Sequence, residues 1–113
     1  MPTFGKSSVN SVVFAPRALV DYEAAVRWYQ RQHPEVGARF CGAVGDCIKR
    51  IAAAPRLRPK MPDGMRRANV PRFPYFILYA ERPGAVQIVA ILHGRRHPDA
   101  WASGFGAPSD DRD

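Results

Sequence analysis

Two amphipathic stripes meet at Pro34 with no linker between them, and that junction limits the possible folds more than any other feature of the chain. Leu19, Tyr22, Val26 and Tyr29 fall at spacings of three, four and three, with Ala18, Ala25 and Trp28 widening the stripe. This is helical periodicity, and Pro16 suits the first turn of such a helix, which ends near His33. From Pro34 a second stripe runs through Val36, Phe40, Val44, Cys47, Ile48 and Ile51 to Ala54 and the breaker Pro55. Proline lacks the amide hydrogen a helix interior needs, so two helices are expected rather than one, folded back as an antiparallel hairpin. Their apolar faces require another layer to cover them.

The flanking segments supply that layer. Val9, Val12, Val13 and Phe14 form a short β-branched and aromatic run closed by Pro16, which predicts a first strand. Residues 55–64 hold three prolines and an Asp-Gly pair and read as an exposed basic loop. Three strands are expected after it, over Met65–Val70, Phe73–Ala80 and Ala85–Leu92. The last is almost continuously apolar, as a central strand buried on both faces would be. A tight turn over Glu81–Gly84 makes the last two strands antiparallel neighbours. The predicted class is therefore α+β, in the order β-α-α-β-β-β. An N-terminal strand and an antiparallel helical hairpin pack on a three- to four-stranded, mostly antiparallel sheet. With 113 residues there is room for one domain, expected over 1–102, followed by a flexible Gly/Ser/Asp-rich tail at 103–113. No internal repeat is present.

Charge narrows the class of partner. Seventeen Lys and Arg stand against ten Asp and Glu, and three of those acids (Asp110, Asp111, Asp113) lie in the last four residues. From Lys49 to Arg72 the chain carries eight basic residues and one acid, Asp63. A surface of this sign meets an anionic target, an acidic partner or solvent alone. Cys41 and Cys47 lie six positions apart on the second helix, ~9 Å along its axis and ~240° around it, so they cannot bond to each other and read as small buried hydrophobes. There is no leader pattern and no apolar run near ~18 residues, so a cytoplasmic location without membrane contact is expected. A Gly-rich phosphate cradle, a Gly-x-Ser-x-Gly elbow and a paired-carboxylate motif are all missing from the sequence, which leaves nucleotide-binding and hydrolase readings without support.

Four segments together resemble the ParE/RelE superfamily of bacterial toxins, and its ParE-like branch in particular. They are D-Y-E-A-A-V-R-W-Y (Asp21 to Tyr29), P-E-V-G-A-R-F (Pro34 to Phe40), R-F-P-Y-F-I-L-Y (Arg72 to Tyr79) and H-G-R-R-H-P-D-A-W (His93 to Trp101). The resemblance implies the toxin of a type II, plasmid-stabilisation-type module, neutralised by a cognate antitoxin whose acidic C-terminal segment wraps it. It also implies a heterotetramer of toxin and antitoxin. ParE-like members are taken to poison DNA gyrase by trapping cleaved DNA, and RelE-like members to cut messenger RNA on the ribosome. The first reading involves no chemistry by the toxin itself; the second makes it an endoribonuclease. A third reading is a basic binding module without toxicity.

Each reading names residues. A metal-free ribonuclease needs a base, an acid and cations for the strained phosphate, and His93, Arg95, Arg96 and His97 are the candidates, assisted by Arg66 or Arg67. The RelE pattern of several lysines closed by a late tyrosine is not reproduced, since no Tyr follows Tyr79. His93 and His97 have the spacing of a helical metal pair, but Gly94 and the strand before it argue against a helix, so neither metal nor cofactor is expected. Arg56, Arg58, Lys60, Arg66, Arg67 and Arg72 are candidates for contacting nucleic acid or another target. Trp28, Tyr29, Phe40, Tyr75 and Trp101 are candidates for antitoxin docking, although periodicity places most of them in the core.

Overall fold

In the computed structural model, residues 11–95 are described. The elements are β1 (Ser11–Phe14), α1 (Pro16–Gln32), α2 (Pro34–Ala53), β2 (Arg66–Asn69), β3 (Tyr75–Arg82) and β4 (Ala85–His93). They form one four-stranded sheet in the order β1-β4-β3-β2, with β1 parallel to β4 and both other pairings antiparallel. β4 is thus central, as its apolar run implied, and the parallel first pair makes the sheet mixed. The parallel pair follows from the connection: the helical hairpin carries the chain across the sheet to β2 at the far edge, and two antiparallel reversals then bring β4 back beside β1 in the same direction.

Both helices pack on one face. Ala18 and Ala25 of α1 and Phe40, Val44, Cys47 and Ile51 of α2 are buried with Ile77, Tyr79, Val86, Ile88 and Ile91 in one cluster. Small residues on α1 let its axis sit close to the sheet, and Leu19, which the stripe assigned to the core, is left 46% exposed. The helices themselves touch at Gly37. A Cβ there would stand 2.4 Å from the Gln30 side chain, so only glycine allows this approach. On the opposite face of the sheet Phe76, Leu78, Ala90 and Leu92 form a second buried cluster. The alternation of β4 changes phase at a bulge opposite Leu78/Tyr79, which lets Ile88 and Ile91 both face the helices.

Several boundaries depart from expectation. β3 begins at Tyr75 because residues 70–75 close a tight turn, with the Val70 amide donating to Tyr75 O and the Phe73 amide to Val70 O. Arg72 sits there at φ 71, a left-handed conformation that side chains other than glycine seldom take. At the other end Glu81 and Arg82 belong to β3, and the turn contracts to Pro83-Gly84, with Gly84 at φ 69. The loop over 55–64 is exposed at Arg56 and Leu57 yet stitched to the sheet. Tyr79 Oη donates to Pro55 O at 2.8 Å, Arg56 Nε reaches Glu81 at 2.9 Å, and Arg66 donates to both Arg58 O and Glu81. Cys41 is only partly buried, a departure from the buried reading, and Cys47 is enclosed; both are free thiols. Val9 and the expected tail at 103–113 lie outside the described residues.

Candidate functional site

The candidate residues fall into three groups. Tyr29, Phe40, Phe73 and Tyr75 form an aromatic box, with ring centroids 5.0–6.1 Å apart in five of its pairs. Phe40 is fully enclosed and Tyr75 is 7% exposed, so these two hold the hairpin to the sheet and present almost no surface for docking. The periodicity that placed them in the core was the stronger signal. Trp28 behaves differently: it stays 41% exposed and lies edge-on to Tyr29 at 5.1 Å.

Around Trp28 the fold assembles a cleft of about 320 Å³ between α1 and the end of β4, lined also by Arg27, Arg31, Tyr75 and His93. Asp21 anchors its floor. β1 stops at Phe14, so β4 has an open edge beyond that point, and Asp21 Oδ2 accepts the Ile91 amide hydrogen there at 3.0 Å. Arg27 and Arg31 were not singled out by sequence reasoning; their four-residue spacing on the outer face of α1 was the only signal. His93 ends β4 with its ring edge-on to Tyr75 at 5.0 Å, and its Nδ1 accepts the Arg95 amide hydrogen at 3.0 Å. Its Nδ1 lone pair is thus engaged in closing the strand end. Arg95 is exposed beside it. Arg96, His97 and Trp101 lie outside the described residues.

The basic candidates of the loop and β2 are divided by the pleat of the sheet. Arg66 points to the helix side and is 9% exposed, its guanidinium held between Arg58 O and Glu81 Oε1. Such a side chain is braced within the fold and presents little surface to a target. Arg56, and to a lesser degree Arg66, hold the Glu81 carboxyl below its ordinary value. Tyr79 beside them is pushed up by burial, against the lowering influence of Arg58. Arg67 points to the other face, its Cζ 4.6 Å above the Phe76 ring and its Nη2 donating to Asn69 at 3.0 Å. Burial brings Arg67 down to about 10, which leaves it a cation at neutral pH. Lys60 and Arg72 remain exposed. No group of three or more His, Cys, Asp or Glu that could hold a metal ion occurs among the described residues. No helix among them is long and apolar enough to cross a membrane.

A helical hairpin on one face of a mixed four-stranded sheet, surrounded by arginines, defines a small basic α+β domain. The fold is similar to that of a chain in the solved chromosomal ParDE TA system from P. aeruginosa, with a TM-score of 0.67 and 20% identity over 77% of this chain and 98% of that one. The family profile described as ParE toxin of type II toxin-antitoxin system, parDE, matches residues 12–98, and the chain belongs to that family. Among curated proteins, none matches it.

Proposed function

We propose that this ParE-family toxin stops growth by binding and poisoning DNA gyrase, without chemistry of its own. It is held inactive in the cytoplasm by a cognate antitoxin with an acidic C-terminal segment, as a heterotetramer. The observation that carries the reading is that three of the six side chains named for a ribonuclease are used within the fold. Arg66 is buried against Glu81 and the Arg58 carbonyl, Arg67 lies over Phe76, and His93 Nδ1 is engaged by the Arg95 amide. These groups brace the fold instead of converging on one phosphate. Trp28, with Arg27 and Arg31 beside it, offers an aromatic anchor among cations, the kind of surface that acidic protein partners use.

The test is pulse-labelling of protein and DNA synthesis within minutes of inducing the chain without an antitoxin. Continued translation with DNA breaks and filamentation is the expected result. An immediate stop in translation with cleaved messages would replace this reading with ribosome-dependent RNA cleavage. No effect on either would leave a non-toxic binding module.

A further inference from the structure

A second cleft, of about 680 Å³, lies along α2 and away from Trp28. Its floor is apolar, formed by Val36, Ala43, Pro71 and Phe73, and its rim carries Arg39, Asp46, Arg50 and Arg72. All four rim side chains are exposed, and among the described residues none has a hydrogen-bond or ion-pair partner. Arg39, Asp46 and Arg50 are seven and four residues apart, so on a helix they lie within ~40° of one another, with the two arginines ~16 Å apart along the axis. Arg72 faces them from the β2–β3 turn, held there by its left-handed backbone. Unpaired charges around an apolar trough, one of them on a strained residue, mark a surface shaped for a partner.

We infer that this cleft binds an amphipathic acidic peptide segment of a protein partner, in which two carboxylates ~16 Å apart flank a cation. The order of charges selects this occupant. Two arginines with a carboxylate between them complement acid–cation–acid and repel the evenly spaced phosphates of a nucleic acid at Asp46. The apolar floor requires side chains to fill it, which a phosphate backbone lacks. The cleft's preference stands on its own geometry; that the partner is the antitoxin rests on the function proposed above.

The experiment titrates the full isotope-labelled chain with three probes and follows backbone amide shifts. The first is a 12-residue helical Ala/Leu peptide with Glu at its first and last positions and Lys at the eighth. The second carries Glu at the eighth position, and the third is a 12-nucleotide oligothymidylate. The first probe is expected to bind tightest, with shifts centred on Arg39, Gly42, Asp46 and Phe73. Arg39→Ala and Arg50→Ala each weaken it by about threefold to fivefold, in the range of exposed charge pairs. Asp46→Arg reverses the preference toward the second probe. Arg72→Gly weakens binding while the melting temperature stays level or rises, because glycine relieves the left-handed strain. No binding of the first peptide, affinities that the four variants leave unchanged, or tighter binding of the oligonucleotide at equal salt would each overturn the inference. No readout depends on toxicity, so its failure and that of the gyrase reading are told apart.

Discussion

Tyr79 decides the path of a whole loop through one hydroxyl. Its ring is fully enclosed and its Oη donates to Pro55 O at 2.8 Å, which fastens the residues leaving α2 to the centre of the sheet. Tyr79→Phe keeps the ring and strands that carbonyl, so it should cost about 1–2 kcal/mol in denaturant unfolding, with unchanged slope. Titration adds a second expectation at this scale. Cys47 is raised from 9.0 and Tyr79 from 10.0, both chiefly by burial, and Tyr22 is pushed up to about 12 by burial and its contact with Cys41. Each holds its proton more tightly in the folded state than in the unfolded one. The native state therefore binds more protons above pH ~9, and stability falls as pH rises through that range. Glu81 works in the opposite window: its lowered carboxyl contributes stability above its ordinary 4.5 that disappears as the pH falls below it. Urea midpoints measured from pH 3 to 11 should be flat near neutrality and fall at both ends, and Glu81→Gln should flatten the acid limb.

At the scale of elements, the hairpin was legible because Pro16, Pro34 and Pro55 bracket two helical stripes, and proline acts locally. What the stripes could not reveal was which residues face inward most deeply. Leu19 belongs to the pattern but is exposed, while Ala18 is enclosed, because closeness of approach matters more to α1 than side-chain size. Gly37 sets that approach for α2. Gly37→Val would drive its side chain into Gln30, and an overpacked contact of this kind should cost roughly 1–3 kcal/mol, read as a lowered thermal midpoint. Asp21 was legible only as part of a quoted motif; its role, closing the β4 edge past the end of β1, depends on where β1 stops. The start of β3 was hidden for a related reason. It requires a left-handed Arg72, and nothing local assigns that conformation to arginine.

For the whole molecule, the balance of charge matters more than any one pair. A chain with formal charge +7 should meet an acidic partner by long-range attraction, so association should slow several-fold when salt is raised from ~0.05 to ~0.3 M, with dissociation changing less. Stopped-flow mixing with a purified antitoxin or an acidic peptide checks this. The candidate site was partly legible at this scale. Counting charges identified a basic block but could not divide it, because alternate strand residues point to opposite faces. Arg66 is consequently sealed against Glu81 while its neighbour Arg67 lies over Phe76.

Local rules thus determined the class: proline positions and periodicity carried the order of elements, the hairpin and the central place of β4, since each depends on a few adjacent residues. The tertiary structure alone decided the parallel pairing of β1, the gathering of Tyr29, Phe40, Phe73 and Tyr75 into one box, and the placing of Arg72 on the same cleft as Arg39 and Arg50. Those arrangements bring together residues distant in sequence, and their geometry exists only once the hairpin has settled on the sheet.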